Sequence, residues 1–186
     1  MLDAILELIQ PFGLAENLNF GIAVGAAFLA VLGLAVLAYL ITRYVIVGPL
    51  ARALMRSESK RDDVFARMNV FSRLSHAAPA VVIYAMGPAV FAAFPLVAQI
   101  IGTASLLYLT LMIVLFLDAL INAGLAVYKT YPISKTFPIT SFAQIAKLLL
   151  YFFGAITILS LILDESPFAF FAGLGAMTAV LMLVFE

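Results

Sequence analysis

The sequence predicts an all-α integral membrane protein with five transmembrane helices, the N-terminus outside the membrane and the C-terminus inside. Three observations lead to this fold class. Of 186 residues, 66% are hydrophobic and only 11% are charged, which leaves too little polar surface for a water-soluble domain. Long apolar stretches alternate with short charged or proline-containing segments. All ten Lys and Arg residues fall on one side of the resulting arrangement.

Residues 1–15 are predicted to form a periplasmic interfacial helix. Asp3, Glu7 and Gln10 share one helical face, Leu and Ile side chains occupy the other, and Pro11 ends the pattern. The helix is too short to cross a bilayer, so it is expected to lie on the membrane surface. No basic region precedes an apolar core, and we therefore expect no cleavable signal peptide.

The first predicted span runs from about residue 18 to 47, and a Gly-Pro pair ends it. A cytoplasmic loop rich in basic residues follows over about residues 48–75. Within it Arg52, Arg56 and Lys60 share one helical face. That face either meets anionic lipid or is a solvated surface that only sets the topology.

No charged residue separates Arg73 from Asp118, and as one helix this stretch would be about twice as long as a bilayer is thick. The chain must therefore turn back once. The prediction places the turn at residues 94–102, between a second span and a third span of about residues 101–128.

Asp118 is a candidate functional residue because a carboxylate inside a membrane span is costly. Lys147, in a fourth span of about residues 141–163, lies at a compatible depth because the third span descends as the fourth rises. A cytoplasmic loop over about residues 129–140 joins these spans. The two side chains fit a structural ion pair or a water-facing carboxylate better than an ion or proton relay.

The final span begins with Ser166 as a helix cap and Pro167 at the first helical position. The link before it is so short that the fourth and fifth spans must form a hairpin. Small residues recur at a spacing of four in three pairs, which are Ala169 and Gly173, Ala172 and Ala176, and Gly175 and Ala179. This pattern fits a helix buried in its own bundle, but a ring of identical helices accounts better for small residues on two flanks.

The charge distribution gives the orientation. With five spans and the N-terminus outside, every basic residue lies on the inner side or in the inner half of a span. The outer side carries only acidic residues, namely Asp3, Glu7, Glu16, Asp164 and Glu165. The positive-inside rule therefore predicts an N-out, C-in topology.

The residue inventory limits the possible functions. The chain has no cysteine and one histidine, His76, so a metal site, a cofactor or an enzymatic activity is not expected. A secondary transporter would need broken helices that converge on polar groups at the midplane, and only Asp118 qualifies. A non-conducting scaffold stays open. The apolar final helix favours a channel whose last span lines an oligomeric pore.

Three segments of the C-terminal region resemble the pore helix of the MscS-like family of small-conductance mechanosensitive channels, in particular its five-span miniconductance branch. They are Asp164-Glu165-Ser166-Pro167, Ala172-Gly173-Leu174-Gly175-Ala176-Met177 and Ala179-Val180-Leu181-Met182-Leu183-Val184-Phe185. Weaker similarity extends back to about Val70. The resemblance implies a homoheptamer of the bacterial inner membrane that opens under tension on hypo-osmotic shock. Its partners would be membrane lipids and identical subunits, without nucleic acid, and its permeants ions and small solutes.

The resemblance also implies roles for residues of the last helix. The pore would be lined by Ala172, Ala176, Ala179, Leu183 and Glu186, and neighbouring subunits would pack on Gly173, Gly175 and Ala176. The family gate is two apolar rings four residues apart, here Ala179 and Leu183. Ala179 is smaller than the residue usual in the family, which makes Leu183 the better gate candidate. Glu186 stands where miniconductance members commonly have a basic residue.

The resemblance further divides the chain into regions. Residues 16–165 correspond to a four-helix sensor region, and residues 166–186 to the first half of the pore-lining helix. In the family a kinked second half and a β-rich cytoplasmic vestibule follow, and this sequence does not include them.

Overall fold

The computed structural model describes Ile5, residues 16–49 and residues 70–185. The described part is helical and contains no strand. Its five long helices are α1 (Glu16–Ile41), α2 (Val70–Val90), α3 (Pro95–Lys129), α4 (Thr140–Leu163) and α5 (Pro167–Phe185). A π-helical segment, Thr42–Val47, continues α1, and a 3₁₀ turn, Pro132–Lys135, precedes α4.

Several predicted features lie outside the described residues. They are the interfacial helix over residues 1–15, apart from Ile5, and the side chains of Arg52, Arg56, Lys60 and Glu186.

Among the described residues, four helices are long and apolar enough to cross a membrane: Asn19–Val45, Pro95–Lys129, Thr140–Leu163 and Pro167–Phe185. The predicted all-α class of a multi-pass membrane protein is thereby confirmed at this level. The remaining long helix, α2, is less apolar because it carries Arg73, His76 and two internal prolines.

The turn between α2 and α3 lies earlier than predicted. The chain reverses at Phe91–Phe94, where the Phe94 amide donates to the Phe91 carbonyl at 2.8 Å, and α3 begins at Pro95. Proline suits this first position because its fixed φ is helical and its missing N–H would have no partner there. The predicted turn over residues 94–102 was therefore wrong, since all but its first residue belong to α3.

Gly102 does not mark the turn but lies inside α3, where a Cβ atom would be 3.6 Å from Cγ of Pro88 on α2. On the facing helix, a Cβ at Gly87 would come within 2.7 Å of Cγ2 of Ile101. These glycines let α2 and α3 approach closely. Glycine, which often ends helices, here allows two helices to pack closely.

The loop predicted over residues 48–75 overlaps the start of α2. This helix already begins at Val70. Val70 is fully buried and packs with Ala119 and Ala123 of α3. This contact stabilises the first turns of α2, which the local sequence had left undecided.

The helix α3 is longer than the span predicted from the sequence. Its 35 residues measure about 52 Å, whereas the hydrocarbon core is about 30 Å thick. Even a tilt of about 40° would leave about 10 Å of a membrane-crossing α3 outside the hydrocarbon. The end at Lys129 is the more polar one, so we place the projecting part there.

The helix α1 packs on α2 through a stripe of small residues. Ala23, Ala27, Val31 and Ala35 recur at a spacing of four and are all buried. Ala27 and Val31 form a cluster with Val90 at the end of α2. The stripe gives α1 and α2 a shared core although neither helix has a strongly polar opposite face.

The helix α4 packs on α3, and α5 follows it in a hairpin. A Cβ atom at Gly154 would be 2.7 Å from Cγ2 of Val114, so this glycine permits the close approach of α3 and α4. Asp164 ends α4 in the left-handed conformation with φ 54°. The Glu165 amide donates to the Ser160 carbonyl at 3.0 Å, which closes the short predicted link.

Candidate functional site

A polar cluster joins α3 to α4. The ammonium nitrogen of Lys147 lies 3.2 Å from Oδ1 of Asp118. Asn122, one turn after Asp118, donates from Nδ2 to Oδ2 of Asp118 at 3.0 Å and accepts a hydrogen bond from Lys147 at its Oδ1. The structure thus brings together the two residues that the sequence paired, and it adds the amide as a third member.

Asn122 was not identified from the sequence, although a signal for it existed. Residues four apart lie on the same face of a helix, so an amide four residues after a buried carboxylate is placed to bond it. The amide can donate to the carboxylate and accept from the ammonium group at the same time. The cluster is therefore closed by three mutual contacts rather than one.

A second cation and a phenol lie beside the cluster. Arg73, near the start of α2, donates from Nη1 to the Leu115 carbonyl on α3, and its positive charge acts on the Asp118 carboxylate. Tyr151, one turn after Lys147 on α4, is near enough for its hydroxyl to interact electrostatically with the same carboxylate. Polar side chains of three helices, α2, α3 and α4, thus converge on Asp118.

The depth of this cluster bears on its role. Leu115 lies about 30 Å along α3 from Pro95, which is about the full thickness of the hydrocarbon core. With Pro95 at one face of the membrane and α3 upright, Asp118 would lie near the opposite face and not at the midplane. The side chains of Asp118 and Lys147 retain 13% and 25% of their exposure. This position fits a structural ion pair better than a relay that must carry an ion through the centre of the bilayer.

Metal binding has no candidate site in the described part of the chain. No group of three or more His, Asp or Glu side chains is arranged there to hold an ion.

An open cleft lies beside the polar cluster, between α2 and the last part of α3. Its volume is about 370 Å³. The lining residues are Arg73, Ala119, Asn122, Leu125, Ala126 and Lys129. Two of these side chains are cations, and no acidic residue is among them.

The last helix, α5, has a very different environment. None of its residues is buried. The ring of Phe171 contacts the ring of Phe153 on α4, with 5.6 Å between the two centroids. A Cβ atom added at Gly173 or at Gly175 would meet nothing within 4 Å. The surface predicted for subunit packing is therefore uncovered in a single subunit.

The predicted pore-lining residues share this exposure. Ala172, Ala176 and Ala179 are exposed, as is Leu183, which retains 77% of its accessible surface. Leu181 retains 49% and points in a different direction. Which face of α5 would line a lumen thus stays a prediction, because a single subunit leaves every face open.

A shallow apolar groove of about 490 Å³ runs along the outer flank of the α4–α5 hairpin. It is lined by Leu163, Glu165, Ala169, Phe170, Gly173 and Leu174. Ala169 and Gly173 are one of the small-residue pairs identified in the sequence. The groove therefore continues the uncovered small-residue surface to the start of α5.

No protein-family model matches the chain, and no solved structure matches it.

Proposed function

We propose that the chain is the membrane part of a tension-gated ion channel in which α5 helices of identical subunits surround a pore. The observation that carries this proposal is that no residue of α5 is buried among the described part of the chain. Each of α1 to α4 buries residues within the subunit, whereas α5 buries none although it is 19 residues long and apolar. The described residues leave most of its surface to lipid or to other copies of the chain.

The glycines of α5 favour other copies over lipid. Each glycine in a helix interior costs about 1 kcal/mol relative to alanine. Lipid tails give no compensation, because a flexible chain packs on alanine or leucine as well as on glycine. A neighbouring helix does compensate, since it can approach closely where side chains are small. Gly173 and Gly175 meet none of the described residues of their own subunit, so a second α5 helix has room to approach them.

The proposed topology has five spans, with α2 as the additional crossing, the N-terminus outside and the C-terminus inside. This topology is supported by the positions of the charged residues, because the cations lie at one end of the helices and the acidic residues of the α4–α5 link at the other. Arg73, Lys129 and Lys147 lie around one end of α3. Tyr39 of α1, which accepts a hydrogen bond from Arg43, stacks near His76 of α2 with 5.3 Å between ring centroids. Acidic residues occupy the opposite α4–α5 link.

Accessibility of single cysteines tests this topology. The chain has no cysteine, so each introduced thiol is the only one. Glu165→Cys should react with an impermeant maleimide added to intact cells. Lys135→Cys should react only after the membrane has been made permeable to the reagent. Labelling of Glu165→Cys from the inside alone would exclude the N-out, C-in orientation.

The proposed gate is a ring of Leu183 side chains, with Ala179 one turn outside it and Ala176 and Ala172 lining the wider part. A narrow apolar ring excludes water because it offers no hydrogen bonds to replace those that pore water and ions lose. Tension favours the state of larger cross-section in the membrane plane. Opening would release ions and small solutes, and a heptamer is the expected ring from the family resemblance.

Patch-clamp recording from liposomes that contain the purified chain tests the function. A channel should give discrete currents whose open probability rises with suction, in the absence of any transported substrate. A stable oligomer that gives no current at any tension short of membrane rupture would contradict the proposal and favour a scaffold. Currents that need a substrate gradient but no tension would favour a transporter. Liposomes without protein, handled identically, provide the control.

A further inference from the structure

We propose that the cleft between α2 and the Lys129 end of α3 binds the phosphate group of an anionic phospholipid. The cleft has a volume of about 370 Å³ and is walled by Arg73 of α2 and by Ala119, Leu125, Ala126 and Lys129 of α3. Its mixture of two cations with short and apolar side chains suits a lipid headgroup that enters from the membrane.

The charges around the cleft are complementary to a phosphate. Arg73, Lys129 and Lys147 are cationic, and Asp118 is the acidic side chain among the described residues around them. Because Asp118 is already paired with Lys147, its carboxylate does not neutralise the other two cations. No ion pair joins Lys129 to any described residue. The cleft thus keeps a net positive charge that the described residues do not satisfy.

The chemistry of the two cations suits the proposed ligand. The Arg73 guanidinium uses one Nη to hold the Leu115 carbonyl and keeps further N–H donors, which can bind two phosphate oxygens in a planar, bidentate arrangement. Lys129 is exposed in the last turn of α3 and adds a mobile point charge. Asn122 forms part of the wall, but its amide is engaged with Asp118 and Lys147.

The depth of the cleft points to a lipid phosphate. Arg73 contacts α3 at Leu115, about 30 Å along the helix from Pro95. With Pro95 at the opposite face of the membrane, the hydrocarbon core would end at this level and the headgroup layer would begin. Basic pockets between membrane helices at this level attract anionic headgroups. Binding there would link α2 to α3 through the lipid. The proposal does not depend on a conducting pore, because it concerns equilibrium binding to the folded subunit.

Native mass spectrometry of the purified chain in detergent, titrated with phosphatidylglycerol and separately with phosphatidylcholine, tests the site. We expect preferential binding of phosphatidylglycerol. With roughly 1 kcal/mol per cation near the membrane surface, Lys129→Gln should weaken that binding about fivefold, and the double variant Arg73→Gln/Lys129→Gln about thirty-fold. Arg73→Lys keeps the charge but loses the fork, so its loss should be smaller than that of Arg73→Gln.

Arg43→Gln is the matched control because Arg43 is also an exposed cation near a helix end, yet it bonds Tyr39 on its own helix and does not line the cleft. Equal losses in Arg43→Gln and Lys129→Gln would overturn the site and leave only general surface attraction. Equal affinity of the wild type for both lipids would overturn it too. Displacement of phosphatidylglycerol by millimolar inorganic phosphate would show a site for a free anion and overturn the lipid assignment. Lys129 is exposed at a helix end, so Lys129→Gln should not disturb folding. The lipid affinity of this variant therefore tests the site even if the Arg73 variants do not fold.

Discussion

The helices α1 and α5 have similar compositions and opposite environments. Both are apolar throughout, and both contain glycines whose added Cβ would meet nothing within 4 Å, such as Gly25 in α1 and Gly175 in α5. In α1, however, small residues at a spacing of four are buried against α2, with Ala27 fully covered. In α5, the equivalent stripe through Ala172 and Ala176 is exposed. A small-residue pattern therefore indicates close packing without identifying the partner, and for α5 we propose that the partner is a second copy of the chain.

The largest expected effect comes from filling the open surface of α5. Gly175→Leu adds a side chain for which the isolated subunit has room, so the subunit should fold as before. In a ring the same side chain would separate neighbouring helices, and the oligomer should dissociate on native gels. Tension-gated currents should disappear with it.

Gly25→Leu is the matched control on α1, because its added side chain also has room in the subunit. We expect its oligomer to migrate as the wild type does. A Gly175→Leu protein that keeps the wild-type oligomer would show that this face of α5 is not a subunit contact. The exposure of α5 would then give no support to an oligomeric pore.

The next effect distinguishes the faces of α5 from one another. Leu183→Ser introduces hydroxyls into the proposed apolar ring, so the constriction should hold water and the closed state should lose stability. We expect a lower tension threshold in patch-clamp recordings and slower growth on expression. Leu181 points about 200° away at 100° per residue, and Leu181→Ser should leave the threshold unchanged. A leak from Leu181→Ser without one from Leu183→Ser would mean that the lumen lies on the other face.

An intermediate effect is expected in the buried stripe of α1. Ala27→Leu overpacks a fully buried position between α1 and α2, which typically costs about 1–3 kcal/mol of stability. The melting temperature in detergent should fall, whereas Ala30→Leu, on the exposed face of the same helix, should not change it. If both variants melt like the wild type, α1 does not depend on α2 in the way that the packing indicates.

The smallest of these effects concerns the contact that fixes α4, the helix before α5. Lys147→Met leaves Asp118 without its cation while Asn122 still donates to the carboxylate. For a pair whose side chains keep part of their exposure we expect a loss of about 1–2 kcal/mol in unfolding free energy, below the value for fully buried pairs. The double variant Asp118→Leu/Lys147→Met should recover part of this loss. A double variant less stable than Lys147→Met would indicate that the contacts of the carboxylate with Asn122 and Arg73 stabilise the fold by more than the unpaired charge costs.

The sequence predicted the helices better than their junctions. The pairing of Asp118 with Lys147 was accessible because both residues are charged in otherwise apolar spans, and antiparallel spans fix their relative depth. The turn before Pro95 was misplaced, because Phe-Pro followed by a glycine is compatible with either a long turn or a helix start. The neighbouring helix decides between them, since Gly102 packs against Pro88. Arg73 was assigned to a loop for the same reason, as nothing in the local sequence shows that Val70 is buried on α3.

The sequence by itself determined that the protein is helical and has at least four segments able to cross a membrane. Bilayer thickness sets the length of a membrane-spanning segment, and the need to satisfy backbone hydrogen bonds requires that the segment be helical. Both the length and the hydropathy of a segment can be read from its own sequence. Only the tertiary structure decided which faces are covered, because coverage depends on where the other helices lie. It buried the small residues of α1, brought Arg73 and Asn122 to the ion pair, and left α5 exposed.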